Sequence, residues 1–178
     1  MAKSDHTTSR TRAEPDLFGI YLNDHLAGAT GGVELVRRAA AAHRGSATGT
    51  ALTRLAAEIV EDRAALLDIM AALGIPVQRL KSYAAWAAEK LGRLKFNGHL
   101  LRRSPLSGLV ELEALRLGVE GKAVAWRTLR ELADHDRRLD AGRLDDLLVR
   151  AHRQINTLEE LRVLTATKIF TQRRRDRR

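Results

Sequence analysis

Three carboxylates, Glu58, Glu61 and Asp62, stand close together in a stretch that is otherwise apolar at helical spacing: Leu52, Leu55, Ile59, Leu66, Ile69, Met70 and Leu73. Asp62 falls where that spacing points inward. A carboxylate on the buried face of a helix needs a cation, a metal or a buried hydrogen-bond donor, because low-dielectric surroundings disfavour the bare charge. The chain holds further candidates for such a partner: Asp24 beside His25, Glu113, Lys122, His152 and Glu159. Two chemistries follow. Acids and imidazoles drawn from several helices suit iron or manganese. Acids facing Lys122, or an arginine such as Arg63, form a buried ion-pair network, the commoner fate of an inward acid. Lys122 is also a candidate amine nucleophile if burial lowers its pKa, although a structural, salt-bridged lysine is the more ordinary outcome. His25 reads first as a hydrogen-bonded core histidine and second as a ligand. Trp126 sits at core spacing.

Helices must position these groups. The first is expected over about 15–43, with Phe18, Leu22, His25, Ala29, Val36 and Ala40 inward and Pro15 in its first turn. Gly28, Gly31 and Gly32 interrupt it, so either the helix bends there or a neighbour approaches closely. The second runs to Leu73, with Ser46 or Thr48 as cap and Gly74-Ile75-Pro76 as stop. The fourth and fifth are expected over 105–133, carrying Leu112, Leu115, Val119, Trp126 and Leu129, and over 143–170, carrying Leu144, Leu148, Ala151, Ile155 and Leu158. Between the second and fourth lies a basic connector. Within it Leu80, Tyr83, Ala87, Leu91 and Leu94 predict a helix over 77–95, about 28 Å long at 1.5 Å per residue. Short connections make the outer pairs antiparallel, and a crossover of that length makes the second and fourth helices parallel. Counting from the helix ends, all the acid, imidazole and lysine candidates fall within about two turns of one level.

Composition supports an all-α chain. There are 178 residues, three Pro and 4% aromatics, too few aromatics for a typical β fold. The absence of Cys excludes a disulfide framework, a thiol nucleophile and a thiolate zinc site. The first residues are polar, with no signal-peptide pattern, and no apolar run reaches a membrane span; a cytoplasmic location is expected. Charge is segregated. The net is +9, yet residues 76–105 alone carry +6 and residues 168–178 carry +5. Residues 1–14 read as a disordered polar and basic tail, 15–170 as the bundle and 171–178 as an arginine-rich tail. In that last segment Arg173, Arg174, Arg175, Arg177 and Arg178 could hold an acidic partner or the phosphates of duplex DNA. It has no aromatic residue to stack on bases.

This ordering, two helices, a bundle-length crossover helix and two more, resembles the ferritin-like superfamily over about residues 15–170. The resemblance implies a ferritin-like four-helix bundle. In its di-metal members one Glu from each of two helices and a Glu-x-x-His pair from each of the other two hold the metals. This sequence has Glu58-Ile-Val-Glu61, with Glu in the His position, and Glu159 is followed three residues later by Arg162. The DNA-protecting mini-ferritins of the Dps type are also similar in length, basic tail and connecting helix. There the resemblance implies a metal site shared between subunits, with Glu58-x-x-x-Asp62 and His25 as its counterparts. The expectation is a ferritin-like protein whose inner polar layer is a salt-bridge network, with no resident cofactor, forming a homo-oligomer and meeting an acidic partner through its basic segments. The alternative is an iron or manganese oxidase or iron-handling protein using Asp24, His25, Glu58, Glu61, Asp62, Glu113, His152 and Glu159. A third reading is Dps-like DNA binding. No reaction is named by the sequence.

Overall fold

The computed structural model describes residues 16–78 and 105–175. The tail over 1–14, nearly all of the expected 77–95 helix, and Arg177 and Arg178 lie outside the described residues. Four helices make up the described chain: α1 (Leu17–Ala42), α2 (Ala47–Ala72), α3 (Pro105–Ala133) and α4 (Ala141–Arg175). No strand occurs among the described residues.

Local chemistry sets the helix ends. Asp16 caps α1: its Oδ1 accepts from Gly19 N at 2.9 Å. Ser46 does the same for α2, accepting from Gly49 N at 3.1 Å. At the other end of α2, Gly74 adopts φ 70°, a conformation that favours glycine. Gly74 N then donates to Ala71 O at 3.0 Å and Ile75 N to Met70 O at 2.9 Å, the paired bonds that close a helix through a left-handed residue. The last helix is longer than its apolar stripe predicts. Its backbone continues past 170 to Arg175, so the start of the arginine run prolongs α4.

Directions follow from contacts between helices. Along α2, Glu58, Glu61 and Asp68 meet Arg153, Arg150 and Arg143 of α4 in reverse order, at 3.1, 3.0 and 2.7 Å. On the other side of α4, Glu159 meets Arg116 and Asp145 meets Arg130 of α3, each at 3.1 Å. Thus α4 is antiparallel to both, and α2 and α3 run parallel. Helix α1 is antiparallel to α2, with Arg63 Nε donating to Thr30 Oγ1 at 3.0 Å. It is also antiparallel to α3, with Tyr21 to Thr128 at 3.3 Å and Arg38 to Glu111 at 3.5 Å. The core between them holds Leu22, Leu26, Val36, Leu52, Leu66, Met70, Leu112, Trp126, Leu129, Leu144 and Leu158. Each leucine buried this fully contributes about 1.5–3 kcal/mol against its exposed state.

The glycines of α1 do not break the helix, and no described residue approaches them closely. Helix α1 passes through Gly28, Gly31 and Gly32 without interruption. A Cβ added at any of them would meet no described residue within 4 Å. The expected bend is therefore absent, and among the described residues the missing side chains leave a hollow.

Candidate polar core and groove

Asp62 is 2% exposed and sits at the centre of a polar layer between α2, α3 and α4. Helix α2 presents Glu58, Glu61 and Asp62 on one face, because offsets of three and four residues nearly complete a turn. Helix α4 presents Arg150, Arg153 and Gln154 with the same offsets. Run antiparallel, the two triplets match. Arg150 Nη1 donates to Glu61 Oε2 at 3.0 Å, and Arg153 Nη2 donates to Glu58 Oε1 at 3.1 Å. The Gln154 amide donates to Glu58 Oε2 at 3.0 Å and to Asp62 Oδ2 at 3.1 Å. From α3, Lys122 Nζ donates to Asp62 Oδ2 and also to Gln154 Oε1 at 2.5 Å. Arg150 Nη2 stands 2.7 Å from Asp62 Oδ1 as an ion pair. That contact lacks hydrogen-bond alignment, so Oδ1 is held by charge alone.

The layer is electrically closed. Glu58, Glu61 and Asp62 supply three negative charges; Lys122, Arg150 and Arg153 supply three positive ones. Gln154, 0% exposed, joins them as a neutral donor and acceptor. Burial pushes the Lys122 amine below its ordinary pKa, while the Asp62 carboxylate opposes that shift. In this setting Lys122 is a hydrogen-bond donor with two acceptors engaged. Both Asp62 oxygens face cations, and Glu58 and Glu61 each set one oxygen on an arginine.

The remaining candidates are distributed elsewhere. Glu159 pairs with Arg162 at 2.7 Å and Arg116 at 3.1 Å, and Glu113 lies 3.9 Å from Arg162, forming a separate cluster between α3 and α4. The hydrogen bond from Arg162 holds the Glu159 carboxyl below its usual pKa. His152 is exposed. His25 packs edge-on against Tyr21 at a centroid distance of 4.6 Å. Its half-burial lowers its pKa, with neighbouring Asp24 opposing. Asp24 itself is exposed. Among the described residues no group of three or more His, Asp or Glu is arranged to hold a metal ion.

Beside the polar layer lies a groove of about 400 Å³ between α1 and α3. Its walls include the α1 glycines and Gly118 and Gly121 of α3; Asp62 and Lys122 stand at its floor, and Asp24 and His25 line it as well. Trp126 also lines the groove, and its indole N–H is buried with no hydrogen-bond partner among the described residues.

The sequence reading did not single out Arg150, Arg153, Gln154 or Asn23. The first three carried a usable signal: their offsets on α4 repeat those of Glu58, Glu61 and Asp62 on α2. Asn23 carried none, because two of its three partners, Pro76 O and Gln78 N, lie more than 50 residues away. No helix among the described residues is long and apolar enough to cross a membrane. No protein-family model, curated protein or solved structure matches this chain.

Proposed function

We propose that this chain is a ferritin-like bundle, with a crossover helix over 77–95, whose inner layer is a structural salt-bridge network. In this reading the protein acts as a homo-oligomeric interaction module, and its basic segments, +6 over 76–105 and +5 over 168–178, meet an acidic partner. Duplex DNA is one such partner. The observation that carries the reading is the neutralised state of Asp62: both of its oxygens face cations, from α3 and from α4. A buried acid paired in this way has its charge compensated by the chain itself, and removing one partner of such a pair is costly. The parallel run of α2 and α3 supports the ferritin-like arrangement, since a plain up-down-up-down bundle would oppose them.

Elemental analysis of the native protein, purified without chelator, tests the reading beside a Glu58→Ala/Asp62→Ala double variant. The expected result is no stoichiometric iron or manganese in either, with the variant less stable. Iron or manganese near one atom per chain, lost in the variant, would replace this reading with a ferritin-type oxidase. The acidic partner is tested by mobility shift of duplex DNA with the full chain and with a 1–170 truncation at ~150 mM salt. Loss of binding in the truncation is expected; equal binding or none removes DNA as the partner.

A further inference from the structure

The groove between α1 and α3 is built to receive something larger than water. Gly28, Gly31 and Gly32 face Gly118 and Gly121 across it, and at all five an added Cβ would meet no described residue within 4 Å. Small residues repeated at helical spacing on two adjacent helices normally bring those helices together. Here they leave a hollow of about 400 Å³, and an apolar surface left to water is unfavourable.

The chain leaving α2 is held against α1 as far as residue 78. Asn23 of α1 is 4% exposed and clamps the departing backbone from both sides. Its Nδ2 donates to Pro76 O at 3.1 Å, and its Oδ1 accepts from Gln78 N at 2.8 Å. Residue 78 is thereby fixed near the start of α1. Helix α3 begins at the opposite end of α1, where a Cβ on Gly108 would lie 3.4 Å from the His43 ring. The distance along α1 from Asn23 to His43 is about 30 Å. The groove follows that path, touching α1 from Asp24 to Leu35.

The intervening sequence has the matching form. Leu80, Tyr83, Ala87, Leu91 and Leu94 make one apolar stripe, with Arg79, Lys81, Lys90, Arg93 and Lys95 off it. As a helix, residues 77–95 reach about 28 Å, close to the distance from Asn23 to His43 and enough to pass the whole groove, which covers about 17 Å of α1. We propose that this segment is the occupant of the α1–α3 groove. It lies parallel to α1, sets Tyr83, Ala87 and Leu91 against the two glycine walls, and turns its basic face outward. The proposal rests on the crossover-helix reading given above. It assigns the glycines a purpose, since larger residues at those positions would fill the space that Tyr83 and Leu91 enter. It also makes the outer surface of the groove basic and available to the acidic partner.

The chain contains no cysteine, so introduced pairs report without background. Gly118→Cys is combined in turn with Tyr83→Cys, Ala87→Cys and Leu91→Cys. As a control, Asp146→Cys, exposed on α4, replaces Gly118→Cys. Each variant is checked for native helicity and oxidised at low concentration, and amide hydrogen exchange over 77–95 is measured on the unsubstituted protein. With residue 78 beside Asn23, Ala87 reaches the level of Gly32 and Gly118. The expected result is an intramolecular disulfide for Ala87→Cys with Gly118→Cys and none with Asp146→Cys. Exchange over 77–95 is expected to be slowed about tenfold or more against an unstructured chain. Slow exchange with no disulfide in any of the three pairs overturns the docking and leaves the crossover helix standing. Fast exchange overturns both. Disulfides between chains would give the groove to a second copy, and a small molecule retained in native mass spectrometry and lost in Gly118→Leu would give it to a ligand; each of these also overturns the proposal.

Discussion

Lys122 and Asp62 meet tip to tip at the boundary between the groove and the polar layer, and Gln154 bonds to both. Lys122 is 15% exposed in its side chain and Asp62 2%, so the pair is screened weakly by solvent. Removing one partner strands the other. Asp62→Ala is expected to destabilise the fold by about 3–5 kcal/mol, because Lys122 and Arg150 lose their shared counter-charge. Asp62→Leu combined with Lys122→Met should recover most of that loss, since Arg150 keeps Glu61. Urea denaturation of the single and double variants measures the difference. Additive losses would show that the pair is not coupled.

Gln154 is the layer's connector. Gln154→Leu is expected to cost about 1–3 kcal/mol, because Lys122 loses an acceptor and Glu58 and Asp62 lose donors while remaining buried or half-buried. A loss no larger than that of a surface substitution would mean that water replaces the amide without penalty. Thermal and urea midpoints decide it.

Asn23→Ala removes three hydrogen bonds, to Gly19 O at 2.8 Å, to Pro76 O at 3.1 Å and from Gln78 N at 2.8 Å. A loss of about 1–3 kcal/mol is expected. The amide of Gln78 should exchange faster in the variant by NMR, while the amides of α4 stay protected. Unchanged exchange at Gln78 would remove Asn23 as the clamp.

His25 makes stability fall on mild acidification. Its folded pKa lies below the ordinary 6.5 because burial disfavours the imidazolium. Between those two values the unfolded chain binds more protons, so stability rises with pH and is lost as pH falls below 6.5. His25→Gln is expected to flatten the stability profile between neutral pH and mild acid. Parallel profiles for the two proteins would show that the histidine titrates alike folded and unfolded.

A second acid-sensitive contact lies in the α3–α4 turn. Arg138 hydrogen-bonds the Asp136 carboxyl and holds its pKa down, from 3.8 to about 2. Arg138 also donates to Leu73 O at 3.1 Å, tying the turn to the end of α2. A depressed carboxyl stabilises above its unfolded value, and the contribution is lost as pH falls from 3.8 to about 2. Asp136→Asn should remove the acid dependence of exchange at the α3–α4 turn and the α2 terminus. No change between the two proteins at low pH would separate Asp136 from that behaviour.

Periodicity and punctuation determined much of this chain by themselves. The four long helices were legible because their apolar residues recur at helical spacing and because Ser46, Gly74 and Pro76 act within a few residues of their own positions. The inward placement of Asp62 was legible for the same reason: a break in an apolar stripe is a local fact. What the sequence could not provide was rotation about each helix axis. Levels along the bundle follow from counting residues, so Lys122 could be placed near Asp62. Which way each group faces depends on packing against other helices. That is why Glu113 and Glu159 join Arg116 and Arg162 in a cluster of their own, and why His152 ends exposed. It is also why Arg150 and Gln154 complete the layer. The glycines show the same division most clearly. A glycine reports only that a side chain is missing; whether a neighbour closes the space, the backbone bends or a groove stays open is decided by the distance between α1 and α3, and only the tertiary structure sets that distance.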